Sequence, residues 1–369
     1  LQSHKKRPPP TVMRKPSLTA ITAILTMFFV AAVGFSTWAQ HGENHNDSTS
    51  VQNSIDATSV DGHKAEGKFN PNETIINHVK DDHQWHFTDH LVLSLPIIVY
   101  SSEKGLDVFS SSHFYEGHHR VEYNGYKLDG QNILLTSSGK KVLDLSITKN
   151  VTMLLINAAI LLLVFFSVAK SYKSNSGQAP KGLQAFIEPV VIFVRDDIAK
   201  PNIGKHYEKY LPYILTLFFF ILFGNLLGLL PGSGNLTGNI AVTLTLAILT
   251  FVITNFSGNA SYWKHIFWTP GVPLPLRIII LPVEIIGIFT KPFALTIRLF
   301  VAITAGHIVI LSLICLGFIF HSYYVGIGAS LVVMIINLIE LLVAGIQAYV
   351  FALFTSLYIG MATAEDDHH

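Results

Sequence analysis

The chain has 369 residues, half of them hydrophobic and only 13% charged, with a mean hydropathy of +0.44. That is far more apolar than a soluble domain, and 25 basic against 24 acidic side chains leave no excess charge for a nucleic-acid-binding surface. The single cysteine, Cys315, lies in an apolar run, so it can form no intrachain disulfide and reads as packing.

The N-terminus reads as an address. Lys5, Lys6, Arg7, Arg14 and Lys15 precede an apolar stretch over 18–35, then Ser36, Thr37, Trp38 and Ala39. Residues 1–39 are expected to be a signal peptide cleaved after Ala39; an uncleaved anchor helix is the alternative, since the stretch nears the ~20 residues a span needs. Met13 with Arg14 and Lys15 makes a conventional start, which would leave residues 1–12 as a gene-model extension ahead of the translated chain.

Residues 40–147 are polar and are expected to form a small exported region with strand-like runs at 92–100 and 133–135. Its histidine-rich tract, 81–90, sets His86 and His90 four apart, which on a helix would share one face. No second ligand pair has a matching spacing, so the tract reads as a solvated face and neither a metal nor a cofactor is expected. Two Asn-X-Ser/Thr matches, at Asn46 and Asn72, are too short to carry weight.

The membrane part, 148–369, opens with an apolar run over 151–169. Lys170, Lys173, Lys181, Arg195, Lys200, Lys205 and Lys209 follow it, and the positive-inside rule puts them in the cytoplasm. Spans are predicted over 210–230 and 240–256, with a turn between them at Pro231-Gly232-Ser233-Gly234. Residues 257–276, with Trp263, Lys264, His265, Trp268 and three prolines, read as interfacial. Two very long apolar segments close the chain, 277–320 and 323–361, separated by His321-Ser322. At ~1.5 Å per residue each would run roughly 60 Å, about twice the ~30 Å hydrocarbon core. They must break, at Pro282, Pro292 or Gly306, or lie strongly tilted as an antiparallel pair. The predicted fold is therefore an all-α integral membrane protein of about five to six membrane-embedded helices, preceded by a small polar exported region.

Ionisable side chains at membrane depth are costly, from about 3 to more than 10 kcal/mol, so each needs a reason. The first long segment carries Glu284, Lys291, Arg298 and His307; the second carries Asn337, Glu340 and Gln347. Folding one back on the other at the break matches Arg298 with Gln347 in depth, and His307 with Glu340. The two levels are nine residues, ~13 Å, apart along the helix. An imidazole and a carboxylate can both exchange protons near neutral pH, so His307 and Glu340 suit a proton path from the outer side. Interhelical hydrogen bonding is the plainer account of Gln347, Asn337 and His307, and snorkelling is that of Lys291. Arg298 fits no such account.

Here a resemblance emerges. Pro282-Val283-Glu284-Ile285-Ile286, Lys291-Pro292-Phe293, Ile297-Arg298-Leu299-Phe300 and Ala305-Gly306-His307 resemble the signature of the ATP synthase subunit a family. So do Asn225 to Pro231, Ile240 to Leu244, and the tail from Glu340 to Phe351; the likeness runs from about residue 151 to the C-terminus. It implies that Arg298 faces the carboxylates of a rotating ring of c subunits, makes each release its proton before passing, and blocks a leak between two half-channels. It further implies that His307 and Glu340 belong to the outer half-channel, that Gln347 lies near the arginine, and that Glu284 contributes to the channels. Asn239, Asn337 and Lys291 are further candidates for the channel lining. The implied partners are the c-ring, b-type peripheral stalk subunits, the rest of the F1Fo complex and membrane lipid, in a bacterial inner membrane with the C-terminus cytoplasmic.

The chain departs from that pattern where Val301 and Ala302 replace the usual Gly-Asn and where Asn239 replaces an acid. Ser137-Ser138-Gly139-Lys140 lacks the earlier glycine of a nucleotide-binding loop, so the chain is not expected to be an enzyme by itself. The titratable pair His307 and Glu340 favours protons over sodium as the coupling ion. Two rival classes remain, a secondary ion transporter and a membrane-anchored periplasmic binding or sensor protein. The first would show internal repeats, which are not found, and the second would not need two polar-studded terminal helices.

Overall fold

The computed structural model describes residues 81, 83–88, 91–101, 103–116, 119–129, 132–174, 179–230, 233–268, 273–320 and 323–364. The expected signal peptide, the sequon-like sites and His90 lie outside these residues.

A β-rich unit comes first. Strands β1 (Gln84–Thr88) and β2 (Leu91–Ser94) pair antiparallel, and a three-stranded sheet has the order β4 (Gly105–Ser110), β3 (Pro96–Ser101), β9 (Leu143–Asp144). Two further hairpins are β5 (Tyr115–Glu116) with β6 (His119–Arg120), and β7 (Tyr126–Asp129) with β8 (Asn132–Leu135). Strict alternation along β3 sends Ile97 and Val99 into a core with Phe114, Tyr126, Leu128 and Ile133. The 92–100 run is thus two strands, divided at Leu95. His86 sits on β1, where side chains alternate between faces, so the helix-face spacing proposed for His86 and His90 does not apply. Among the described residues no group of three or more His, Cys, Asp or Glu could hold a metal.

The same unit is tied to the first membrane helix, α1 (Lys149–Ser174). Buried His83 bonds Asp144 through Nε2 and Oδ2 at 2.9 Å, the backbone N–H of Ser146 donates to Asp144 at 2.8 Å, and Asp81 accepts from the backbone N–H of Asn150 at 3.1 Å. A carboxylate at that first turn also meets the positive end of the helix.

Helix α2 (Leu183–Phe193) leads through a π turn (Val194–Ala199) and short α3 (Lys200–Ile203) into α4 (Tyr207–Gly228). The sequence reading had this stretch as a basic connection. It was hidden because Gly182 offers no side-chain cap and Pro189 interrupts the helical pattern. Helix α5 is Ile240–Phe256, as predicted, and α6 (Ala260–Phe267) turns from it by 102°.

Helices α7 (Leu274–Phe320) and α8 (Tyr323–Thr363) pack antiparallel. Neither breaks: α7 continues through Pro282, Pro292 and Gly306, so of the two options above the break at these residues is not taken. Among the described residues four helices are long and apolar enough to cross a membrane, or five if α5 and α6 count as one bent span, the lower edge of expectation. Small residues let α8 approach its neighbours. Ala344, Ala348 and Ala352 are fully buried, and a Cβ on Gly360 would overlap the Asn202 carbonyl oxygen.

Candidate functional site

The two ends of the helical bundle are distinguishable. Gly234, between α4 and α5, lies against Lys149, Asn150 and Met153 at the start of α1, so this end adjoins the β-rich unit. At the opposite end Asn259 bonds the carbonyls of Ala362 and Thr363.

Near the first end, Asn225 on α4 donates from Nδ2 to the Ala344 carbonyl at 3.2 Å and accepts from Thr237 at 2.7 Å. One turn along α8 from Ala344 lies Glu340, whose Oε1 is 3.5 Å from His307 Nδ1; the Glu340 side chain is 3% exposed and that of His307 23%. Both carboxylate oxygens are buried with no hydrogen bond. Gly306 makes the space: a Cβ there would stand 2.7 Å from Glu340 Oε1. The structure therefore brings together two groups able to pass a proton, on facing helices and at one depth.

Toward the other end, the guanidinium of Arg298 lies over the ring of Phe354, 4.4 Å from its centroid. Depth matching sets Arg298 against Gln347, whereas the side-chain contact that Arg298 makes is with Phe354. The reason lies in the direction of side chains, which lean toward the N-terminus of their own helix. In an antiparallel pair Arg298 leans toward the C-terminal end of α8 while Gln347 leans away, so Arg298 meets a residue seven positions further along α8. Arg298 and His307 point to opposite faces of an ideal helix, and the long guanidinium arm reaches round to α8.

Arg298 is exposed on the bundle surface and, among the described residues, makes no hydrogen bond or ion pair. A cation–π contact of this kind contributes about 0.5–2 kcal/mol. On the next turn Tyr358 packs on Phe354, with centroids 5.9 Å apart, and Lys291 Nζ lies 5.4 Å from the Tyr358 centroid. Glu284 is within electrostatic reach of Lys291 and of Tyr262. A small cavity lies at this level, lined by Thr250, Thr254, Asn255, Tyr262, Lys291 and Tyr358 among others.

The remaining candidates are separate. Asn239 caps α5, accepting from the Ala241 amide at 2.9 Å. Gln347 is half-buried, and Asn337 is exposed on α8, one turn before Glu340. Sequence reasoning missed Phe354 and Tyr358. Their signal was an aromatic pair four apart on the helix facing the two cations.

Residues 151–360 match the family described as ATP synthase A chain, and residues 74–154 match a domain of unknown function, DUF8433. The chain is 53% identical over 234 residues to the ATP synthase subunit a 2 of Chlorobaculum tepidum, covering 61% of this chain and 66% of that one. It is 50% identical over 231 residues to the ATP synthase subunit a of Chloroherpeton thalassium, with 61% and 69% covered. The subunit a of Chlorobium phaeobacteroides strain DSM 266 is 47% identical over 259 residues, with 68% and 75% covered. The chain thus spans about two thirds to three quarters of these relatives.

Proposed function

The chain belongs to the ATP synthase A chain family, and on that premise we propose that it carries protons through the membrane sector of ATP synthase, past a rotating ring of c-type subunits. It is a multi-pass membrane protein and a non-catalytic subunit of the proton-transporting synthase. Nothing in the comparisons supports the transporter or the anchored binding protein.

Moving one charge through 100 mV is worth about 2.3 kcal/mol, so torque requires that protons arrive and leave by different paths with a ring rotation between them. His307 and Glu340 serve the path on the side of the β-rich unit, where the imidazole passes a proton to or takes one from the carboxylate across 3.5 Å. Glu284, Lys291 and the polar cavity beside Tyr358 serve the other side. Arg298 separates them. A fixed cation attracts a deprotonated ring carboxylate, compels the proton's release before passage, and makes the crossing of a bare proton costly. Gln347 lines the interval between the levels, and Asn337 lines the margin beyond the His307–Glu340 pair. Residues 40–147 form an exported unit released from a signal peptide over 1–39, and residues 148–369 lie in the bacterial inner membrane with the C-terminus cytoplasmic. A b-type stalk holds the chain against the ring's rotation.

The observation that carries this reading is the exposed Arg298, held on an aromatic ring with no acid bound to it among the described residues. The test is Arg298→Ala in the intact synthase reconstituted into vesicles. ATP-driven acidification and ATP synthesis are both expected to vanish; coupled pumping at the normal rate would overturn the reading.

A further inference from the structure

We propose that Phe354 is the positioning residue for Arg298: its ring holds the guanidinium at the bundle surface without neutralising it. The proposal rests on the reading of Arg298 as the separator of the two paths and adds the question of what keeps that cation in place.

A guanidinium at membrane depth needs a partner, yet a resident carboxylate would defeat its task, because an ion pair within the chain would compete with every carboxylate the ring presents. The structure answers with a ring face. Arg298 Cζ lies 4.4 Å from the Phe354 centroid. The acids that could capture it are otherwise placed: Glu340 is buried beside His307, and Glu284 lies within reach of Lys291. The next ring toward the inner end, Tyr358, is taken by Lys291, whose Nζ lies 5.4 Å from that centroid. Arg298 therefore cannot slide one turn inward without meeting a second cation. The quadrupole of Phe354 offers attraction that is weak, directional and free of charge, so a passing carboxylate can draw the guanidinium away and the ring recovers it afterwards.

The experiment uses the whole synthase in vesicles and compares Phe354→Leu, which keeps apolar bulk, with Phe354→Trp, which keeps a π face. Two quantities are read: ATP-driven pumping, and passive proton conductance after removal of the catalytic sector. Phe354→Leu is expected to slow pumping about 2–30-fold, the range of a cation–π contact, and to raise passive conductance. Phe354→Trp is expected to restore both. A purely structural role would not raise conductance selectively in the ring-free variant. Wild-type behaviour of Phe354→Leu overturns the proposal, and so does equal damage by Leu and Trp. If Phe354→Leu does not assemble, Phe354→Met takes its place, and failure of both to assemble assigns Phe354 to packing and overturns the proposal. Arg298→Ala, run alongside, separates the two levels of argument. Coupled pumping by that variant defeats the reading of Arg298 itself, whereas its inactivity beside a normal Phe354→Leu defeats only the role of the ring.

Discussion

The carboxyl group of Glu340 rests on the backbone of Gly306, so closely that a Cβ would stand 2.7 Å from Oε1 and 3.1 Å from Cδ. The atoms in the way are the far end of a flexible side chain. Gly306→Ala should therefore leave the fold intact and push the carboxyl away from His307. Passive proton conductance of vesicles should fall several-fold with thermal stability little changed. Adding Glu340→Asp, one methylene shorter, should recover part of the loss. Undiminished conductance in Gly306→Ala would remove this contact from the path.

Gly360 presents the opposite case, because its obstacle is backbone. A Cβ there overlaps the carbonyl of Asn202, and Ile203 Cα lies 3.4 Å away. Neither can rotate aside, so Gly360→Ala must separate α8 from α3, a strain on the order of 1–3 kcal/mol. Thermal unfolding in detergent should show it as a clear drop in midpoint, and an unchanged midpoint would mean that the helices part at no cost.

Asn225 joins α4 to α8 through the Ala344 carbonyl and also accepts from Thr237. Interhelical hydrogen bonds in membranes contribute about 0.6 kcal/mol on average and up to about 1.7. Asn225→Leu breaks both bonds and strands the buried Thr237 hydroxyl, so its loss should exceed that of Thr237→Val. Denaturant titration of the two variants checks the order.

The β-rich unit should respond to acid through Asp144. Burial alone would raise its pKa, but the hydrogen bonds and charge of His83 and the bonds from Ser146 outweigh it and hold the carboxyl below its usual range. A lowered folded value means that its contribution is complete above the ordinary carboxylate pKa and is lost as pH falls through the folded one. Asp144→Asn should thus cost about 1–3 kcal/mol at neutral pH, and the gap from wild type should close in strong acid. Amide exchange of β3 and β4 in the intact protein reads this directly; a gap that widened in acid would reverse the sign and refute the account.

Periodicity made the simplest features legible. Helix α5 was predicted at its observed limits because an uninterrupted apolar run stands between a capping asparagine and a polar stop. The facing of His307 and Glu340 followed from folding two runs at one break, since both side chains are short and stay near their backbone depth. Arg298 escaped the same arithmetic because a long side chain leans several ångströms from its own Cα, and the partner leans the opposite way. Helix α2 escaped because a glycine start and an internal proline look like a connection, and tertiary packing of Ile187, Val194 and Ile198 overrides them. The strands of the N-terminal unit are short, and their histidines suggested a helix face that the pleat does not provide.

Helix α7 runs unbroken through Pro292, and a proline has no amide hydrogen to give. The carbonyl of Ile288, one turn earlier, is left without its helical donor, and Ile288 and Pro292 both border the cavity that Thr250, Thr254 and Tyr358 share. The helix thus continues past Pro292 with one carbonyl lacking its amide partner beside that cavity. The hydroxyl groups of Thr250, Thr254, Tyr262 and Tyr358 gather around that opening and give it a lining on which water can find a foothold.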